Sequence, residues 1–297
     1  MALTIEGVFP PIPTPFDADG EILHDKLKAN IAKWSKTGLS GFAVLGSNGE
    51  FVMLNESEKA AVWETARAAI PRDQVFLAGA GAESTQTALA LARRAGELGA
   101  DAAMIVTPFY YKSQMNAPTM VNHFRVIADS SPIPIIAYNM PASTGIDLDA
   151  ATIIQLAQHP NIVGVKDSSG NVAKYAEIVR AVRPDFAVIA GSGSYLYPAL
   201  CVGAKAGIAA VANVAPRECV ALYRAFCAGR HDEARALQLK LIPLNQAVTA
   251  RWNIPGLKAA LDLLGDYYGG VPRLPLRPLG EPDRQALKAI MQEAGVL

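Results

Sequence analysis

The chain has few of the residues that mark disulfide frameworks, metal centres or nucleic-acid surfaces. Its 297 residues include three cysteines, Cys201, Cys219 and Cys227, whose spacing matches no metal or disulfide motif. This favours a reducing compartment, and we expect a cytoplasmic protein. The 27 Lys and Arg residues balance the 27 Asp and Glu residues, and no basic run stands out. Nucleic acids and anionic membranes bind clustered positive charge, so neither is expected as a partner.

Targeting and catalytic motifs are also missing. The opening MALTIEGVFPPIPTPF lacks the basic and then apolar build of a signal peptide, and no stretch free of charge and proline is long enough to span a membrane. No G-x-S-x-G nucleophile elbow is present. The four histidines are His24, His123, His159 and His231. Neither H-x-H nor H-E-x-x-H spacing occurs among them, so no metal site is expected.

What the sequence does contain is an alternation of short apolar runs and longer segments of helical period. With 51% hydrophobic and 18% charged residues, the chain can bury a large core. Eight apolar runs are predicted as strands: 7–10, 41–45, 75–80, 102–107, 133–138, 162–166, 187–190 and 207–212. Seven segments between them are predicted as helices: 25–37, 56–70, 84–98, 117–129, 149–158, 172–182 and 195–202.

Strands that are apolar at nearly every position are buried on both faces, which is typical of a parallel sheet covered by helices. Eight strand–helix units in a chain of this length predict an α/β fold, a closed (β/α)8 TIM barrel. A doubly wound open sheet is the alternative, but its G-x-G-x-x-G turn is missing after the first run. After residue 216 only helical spacing remains, at 218–228, 232–250 and 254–264. We therefore expect a catalytic barrel over 1–216 and a C-terminal helical extension over 217–297 packed on it.

Such a barrel carries its site at the carboxyl ends of its strands, where Lys166 ends an apolar run. Desolvation disfavours the charged form of an amine, and a neutral amine attacks ketones, so Lys166 is a Schiff-base candidate. The commoner alternative is a lysine that reaches solvent or pairs with Asp167. Tyr138 ends the neighbouring strand, where its hydroxyl can move protons or simply cap a loop. The turn Gly46-Ser-Asn-Gly-Glu50 can offer backbone N–H groups to a carboxylate or be only a turn.

Three motifs together resemble a known family: Gly46-Ser-Asn-Gly-Glu50, Tyr138-Asn-Met-Pro141 and Gly164-Val-Lys-Asp167. In order and spacing they are similar to the dihydrodipicolinate synthase / N-acetylneuraminate lyase family of pyruvate-dependent class I aldolases. The resemblance runs from about residue 7 to beyond residue 270. It implies a (β/α)8 barrel with a C-terminal helical extension, usually a homotetramer. It also implies pyruvate as a substrate, and no cofactor besides the covalent Schiff base on the enzyme's lysine.

The resemblance assigns roles to individual residues. Lys166 matches the Schiff-base lysine and Tyr138 the proton-shuttling tyrosine. The hydroxyl of Ser47 links that tyrosine to a second one from the adjacent subunit, which the pattern assigns to Tyr110, with Tyr111 as the alternative. Six positions match residues that hold the substrate: Ser47, Asn48, Ser143, Ser168, Gly191 and Ile208.

The choice of substrate depends on Ser143. Synthases that condense pyruvate with aspartate semialdehyde usually carry an arginine there, and a serine cannot bind a carboxylate as a bidentate cation. Five other segments resemble the 4-hydroxy-2-oxoglutarate aldolase branch: Gly46-Ser-Asn-Gly-Glu-Phe51, Glu83-Ser-Thr-Gln86, Asp101-Ala-Ala-Met104, Gln158-His-Pro-Asn-Ile-Val-Gly164 and Ile254-Pro-Gly-Leu-Lys258. We therefore expect a lyase that cleaves a 4-hydroxy-2-oxo acid, above all 4-hydroxy-2-oxoglutarate to pyruvate and glyoxylate. The alternatives are the synthase, an aldolase or dehydratase of 2-oxo-3-deoxy sugar acids, and a pyruvate-binding barrel without turnover.

Overall fold

The structure, a computed structural model, describes residues 3–297, so the first two residues of the predicted segment 1–216 lie outside it. Within the described part, nine short strands pair in parallel in one sheet. Their bounds are β1 Gly7–Phe9, β2 Pro11–Ile12, β3 Gly41–Val44, β4 Val75–Gly79, β5 Ala102–Val106, β6 Ile135–Asn139, β7 Ile162–Asp167, β8 Ala187–Ala190 and β9 Ala206–Ile208. Their order in the sheet is β1-β9-β8-β7-β6-β5-β4-β3-β2.

The first predicted strand consists of two segments, β1 and β2, on either side of Pro10. Gly7 of β1 is in register with Ala206 of β9, whereas Pro11 of β2 is in register with Ala43 of β3. Proline has no N–H to give to a strand ladder, so Pro10 is a natural place for the strand to change partners. Because β1 and β2 occupy one strand position at both ends of the sheet order, the sheet closes. The predicted (β/α)8 TIM barrel is confirmed.

Helices follow the strands around the outside of the barrel. Their bounds are α1 His24–Trp34, α2 Glu56–Ala69, α3 Thr85–Glu97, α4 Ala117–Ser130, α5 Pro141–Thr144, α6 Ala150–Leu156, α7 Val172–Ala181, α8 Leu196–Cys201, α9 Pro216–Cys227, α10 His231–Gln246, α11 Asn253–Leu264 and α12 Glu281–Glu293. Local chemistry fixes several starts: the Asn55 side chain accepts from the backbone of Glu58, whose carboxylate accepts from the backbone of Asn55, which is a capping box before α2.

Two hydrophobic clusters hold these layers together. The larger lies between the strands and the helices and includes the fully buried Trp34 and Trp63. The smaller fills the inside of the barrel with side chains from alternate strand positions, among them Phe9, Met104 and Tyr138. The barrel centre is therefore packed, and the space for a ligand lies at the ends of the strands.

The structure departs from the predicted elements in a few places. The predicted strand 133–138 begins at Ile135, since Pro134 directly before it cannot donate to the ladder. The predicted strand 207–212 is only Ala206–Ile208, and the chain then turns into a 3₁₀ segment, Ala210–Asn213. The sequence analysis missed α5 and α12, and α10 passes into a π-helical turn at Ala247–Arg251.

The C-terminal helices α10, α11 and α12 follow the barrel, and helix packing joins α10 to α9 and α12 to α11. The division of the chain at residue 216 stays a prediction. No helix within residues 3–297 combines the length and the apolar character that crossing a bilayer requires.

Candidate active site

Lys166 and Tyr138 lie side by side at the carboxyl ends of β7 and β6. They are direct partners in the parallel register, and each has only 3% of its surface exposed. Lys166 Nζ lies 4.0 Å from the centroid of the Tyr138 ring, which is the distance of a cation–π contact. The barrel register thus places an amine against a phenol at its mouth.

The alternative in which Lys166 pairs with Asp167 is wrong. Successive side chains of a strand point to opposite faces, and Asp167 points away from the barrel interior. Its carboxylate is fully buried and lies 2.9 Å from Lys174 Nζ of α7. Within residues 3–297 no carboxylate lies within ion-pair distance of Lys166. The Lys166 amine therefore takes part in no ion pair with the described residues.

The hydroxyl of Tyr138 has a partner in the loop after β3. Tyr138 Oη and Ser47 Oγ lie 3.2 Å apart, and either oxygen can donate in this hydrogen bond. Ser47 belongs to the single 3₁₀ turn Ser47–Gly49, which Thr14 fixes by donating to the carbonyl of Gly49 at 2.8 Å. The structure therefore brings the three predicted catalytic residues Lys166, Tyr138 and Ser47 into one continuous chain of groups.

The same turn offers two backbone donors. Ser47 and Asn48 occupy its first two positions, where amide groups have no acceptor within the turn. The side-chain Nδ2 of Asn48 is buried and has no hydrogen-bond partner among the described residues. These donors can hold a small carboxylate beside Tyr138.

The remaining predicted contacts lie on different parts of the rim. Ser168 Oγ donates to the carbonyl of Gly191 at 3.4 Å. A Cβ placed on Gly191 would lie 2.1 Å from Ser168 Oγ. Only glycine fits there, so the two residues form one close-packed side of the mouth. Ile208 is buried in the barrel interior in the same cluster as Tyr138. Ser143 lies apart from them, exposed on the short helix α5.

A narrow cleft opens next to Tyr138. It is lined by backbone at three glycines and by apolar side chains: Leu45, Gly46, Phe51, Gly79, Gly81, Met104, Val106 and Tyr138. A polar group at one end of an otherwise apolar cleft is the usual arrangement of a small-molecule site.

Tyr110 does not reach Tyr138 of its own chain. Its side chain is 74% exposed, that of Tyr111 is 69% exposed, and their rings meet edge to face with centroids 5.0 Å apart. The loop is nevertheless held in place, because the backbone N–H groups of Phe109 and Tyr110 donate to the Glu83 carboxylate at 3.1 and 2.9 Å. Both phenols therefore project outward from an anchored loop.

The sequence analysis missed a buried polar network directly behind the site. Asn139 follows Tyr138 and donates to Asp167 at 3.2 Å and to Asp147 at 2.7 Å. Lys174 Nζ lies 2.7 Å from Asp147 and 2.9 Å from Asp167. This network ties the ends of β6 and β7 together, so it holds Tyr138 and Lys166 in register.

Two tyrosines add to this network from the other side. The hydroxyls of Tyr175 and Tyr195 donate to the backbone carbonyl of Asp167. Burial raises the pKa of both phenols, so they stay protonated donors. In the sequence, only position could have indicated this polar network, since Asn139 directly follows Tyr138 and Asp167 directly follows Lys166.

Comparison with known proteins decides the family. The model of the dihydrodipicolinate synthetase family matches residues 4–294. The chain belongs to this family. Family membership makes it a carbon–carbon lyase of the pyruvate-dependent class I aldolase type, as the sequence resemblance implied.

Relatives within the dihydrodipicolinate synthetase family match over nearly the whole chain. A 4-hydroxy-tetrahydrodipicolinate synthase of Methanothrix thermoacetophila is 36% identical over 286 residues, which cover 96% of this chain and 95% of that protein. An uncharacterised DapA-like lyase of Halobacterium salinarum is 37% identical over 295 residues, covering 99% and 96%. The crystal structure of the chloride-inhibited dihydrodipicolinate synthase of Acinetobacter baumannii, complexed with pyruvate, superposes with a TM-score of 0.94 at 32% identity, covering 99% of this chain and 100% of that one.

Proposed function

We propose that this lyase cleaves 4-hydroxy-2-oxoglutarate to pyruvate and glyoxylate through a Schiff base on Lys166. The observation that carries the proposal is the contact of the Lys166 amine with Tyr138, whose hydroxyl bonds to Ser47. A nucleophilic amine needs a proton donor and acceptor beside it to expel water from a carbonyl, and this arrangement supplies both.

The first half of the reaction forms the imine. The Ser47 and Asn48 amides hold the carboxylate next to the ketone, while the Lys166 nitrogen attacks the ketone carbon. Tyr138 delivers a proton to the hydroxyl of the resulting carbinolamine, which leaves as water. The product is a protonated imine between Lys166 and C2 of the substrate.

The second half breaks the carbon–carbon bond. Tyr138 takes the proton from the 4-hydroxyl, the C3–C4 bond breaks, and its electron pair moves into the imine to give an enamine. Glyoxylate leaves as the aldehyde. Tyr138 then gives this proton to C3 of the enamine, and water hydrolyses the imine to release pyruvate and the free Lys166 amine. Run in reverse, the same steps condense pyruvate with an aldehyde.

Tyr110 completes the relay in the site of a second copy of the chain. Its 74% exposure and the anchored loop beneath it are what a residue needs to reach across an interface. We therefore keep the predicted homotetramer as part of this proposal, with Tyr110 rather than Tyr111 as the crossing residue. We also keep the cytoplasmic location, for which the support is the cysteine spacing that matches no disulfide motif.

The substrate assignment rests on the loop after β6. This loop has no arginine, and Ser143 on α5 offers only a hydroxyl to a second carboxylate. A cation is nevertheless close by: Lys112 lies against the loop, since a Cβ placed on Gly145 would be 3.0 Å from its Nζ. We assign Lys112 to the distal carboxylate of 4-hydroxy-2-oxoglutarate, with Ser143 of the adjoining loop as a hydroxyl donor.

A 4-hydroxy-tetrahydrodipicolinate synthase is the second candidate, because the Methanothrix relative bears that name. Lyases of 2-oxo-3-deoxy sugar acids use the same enamine and form a third possibility. The three differ in the aldehyde that meets the enamine, and so in the groups at the mouth of the barrel.

A substrate panel tests the assignment. Pyruvate release is followed with 4-hydroxy-2-oxoglutarate and with 2-oxo-3-deoxy sugar acids, and pyruvate condensation is followed with aspartate semialdehyde. We expect the highest kcat/KM with 4-hydroxy-2-oxoglutarate. A higher value for the condensation assigns the chain to the synthases, and a higher value for a sugar acid assigns it to the third group.

A further inference from the structure

Two buried charges meet at a place that the catalytic steps do not use. Glu50 ends the motif Gly46-Ser-Asn-Gly-Glu50, and Lys258 ends the motif Ile254-Pro-Gly-Leu-Lys258 in α11. Each has 1% of its surface exposed, and Lys258 Nζ lies 2.5 Å from Glu50 Oε1. The pair therefore joins the loop that carries Ser47 to the C-terminal extension.

The polar atoms of this pair have further partners. The backbone N–H of Arg273 donates to Glu50 Oε2 at 2.8 Å, and Lys258 Nζ donates to the carbonyl of Val271 at 2.9 Å. Phe16 lies 4.4 Å from Lys258 Nζ and 4.4 Å from the Arg273 guanidinium, measured to its ring centroid. Burial lowers the pKa of Lys258, and the facing carboxylate of Glu50 opposes that shift. The ammonium is thus enclosed by one carboxylate, one carbonyl and one aromatic face.

Arg273 extends the contact to the far end of the same loop. Its guanidinium donates to the carbonyl of Met53 at 2.9 Å and to Glu58 at 2.6 Å. We call Lys258 and Arg273 the C-terminal clamp. The clamp grips the loop at Glu50 and Met53, which lie just beyond the turn that carries the hydroxyl and amide donors of the site.

The backbone conformation of Glu50 shows why the loop needs these contacts. Glu50 has φ 58° and ψ 33°, the left-handed region that glycine favours and that costs energy for a residue with a side chain. That conformation persists only where the surroundings enforce it. A buried ion pair is also a costly way to gain stability, since apolar residues of the same volume serve as well or better. Directional bonds to Glu50, rather than stability alone, are what the clamp supplies.

We propose that Glu50 and Lys258 are positioning residues through which the C-terminal extension sets the turn Ser47–Gly49 for pyruvate binding and proton transfer. This inference rests on the proposed Schiff-base function. The left-handed turn at Glu50 orients the amides of Ser47 and Asn48. It also sets the distance from Ser47 to Tyr138. Loss of the clamp lets the turn relax while Lys166 and Tyr138 keep their own register.

The test measures exchange of the pyruvate methyl protons with deuterium oxide, followed by proton NMR, which requires the enamine but no aldehyde. The variants are Glu50→Gln, Lys258→Met and the double variant. The single variants leave one buried charge without its partner and can fail to fold, whereas the double variant leaves none. We expect the double variant to fold, with its KM for pyruvate raised about tenfold, the cost of about one lost hydrogen bond to the carboxylate.

Leu287→Ala is the matched control, because Leu287 is fully buried in α12 of the same extension and makes no part of the clamp. It lowers the melting temperature and leaves the pyruvate KM of the folded enzyme unchanged. If the double variant also keeps the wild-type KM and exchange rate, the positioning role is wrong. If the wild-type enzyme neither exchanges pyruvate protons nor forms a borohydride-reduced adduct, the Schiff-base function fails, and this inference fails with it.

Discussion

Lys166 and Tyr138 are register partners on adjacent parallel strands, and Lys166 Nζ lies 4.0 Å from the Tyr138 ring centroid. Hydrogen bonds of the strand ladder, not flexible loops, set this distance. A network of Asn139, Asp167 and Lys174 lies directly behind the pair and joins the two strand ends. The site therefore holds its amine and its phenol on rigid backbone, which is the arrangement that proton transfer between them requires.

Replacing Lys166 by alanine or arginine removes the nucleophile. We expect the variant to lose at least about 10³-fold in activity, since no other group can form the imine. Incubation with pyruvate and borohydride, followed by peptide mass spectrometry, should show a reduced adduct on the Lys166 peptide of the wild type and none in the variant. Lys240→Ala, at an exposed position of α10, is the control and keeps both adduct and activity. Undiminished catalysis by Lys166→Ala contradicts the mechanism.

Replacing Tyr138 by phenylalanine keeps the ring against Lys166 and removes only the hydroxyl. We expect kcat to fall by about 10² to 10⁴, the usual contribution of a positioned proton donor, with a smaller change in KM. Ser47→Ala should cost about tenfold, because Tyr138 keeps its hydroxyl and loses one hydrogen bond. Deuterium exchange into pyruvate measures both. Equal losses in the two variants would contradict the assignment of Tyr138 as the main proton donor, because they would show that the Ser47 hydroxyl contributes as much.

The sequence predicts the barrel and the strand-end positions of Lys166 and Tyr138 because both depend on local pattern. Strands buried on both faces are apolar at nearly every residue, and the residue that ends such a run must lie at the rim. This was enough to place Lys166 and Tyr138 on neighbouring strand ends. In the proposed assembly, a second copy of the chain determines whether Tyr110 or Tyr111 serves the site, so neither the sequence pattern nor the single chain decides between them.

The parts that the sequence did not predict depend on contacts between distant segments. Glu50 and Lys258 each stand in a recognisable motif, yet nothing local indicates that they pair. Lys174 has the appearance of a solvent-facing lysine on an amphipathic helix, and only the packing of α7 on the barrel brings it to Asp167. The split of the first strand at Pro10 likewise follows from barrel closure, which is a property of the whole sheet.

Mixing two inactive variants tests the assignment of Tyr110. Tyr110→Phe and Lys166→Ala are each expected to be inactive or nearly so. After mixing, unfolding and refolding together, half of the dimer interfaces pair unlike chains, and one site of each such pair has both intact residues. Activity should therefore recover to about a quarter of the wild type. Tyr111→Phe is the matched control and stays active on its own. Failure of the mixture to regain activity, with assembly intact by light scattering, excludes Tyr110 as the crossing residue.

Lys112→Met tests whether Lys112 binds the distal carboxylate of 4-hydroxy-2-oxoglutarate. We expect kcat/KM for 4-hydroxy-2-oxoglutarate to fall about tenfold, because a charge-assisted contact to the distal carboxylate is lost. Deuterium exchange into pyruvate should not change, since pyruvate has no second carboxylate. Lys112→Arg, which keeps the charge, should retain most of the activity. A fall in pyruvate exchange equal to that in cleavage would mean that Lys112 supports the fold of the site rather than the choice of substrate.

His123 predicts how stability depends on pH. It lies in α4 with 4% of its surface exposed, bonded through Nδ1 to Thr85 at 2.9 Å, and burial lowers its pKa from 6.5 to about 4. The unfolded chain therefore binds a proton on this ring at pH values where the folded chain does not, so the stability that neutral His123 maintains is lost as the pH falls from 6.5 towards 4. At pH 5 the loss relative to pH 7 should be about 2 kcal/mol in the free energy of unfolding.

Urea unfolding at pH 5 and pH 7 measures this loss, with His123→Gln as the variant in which this part of the pH dependence disappears. An equal loss in both proteins would assign the acid sensitivity to other groups.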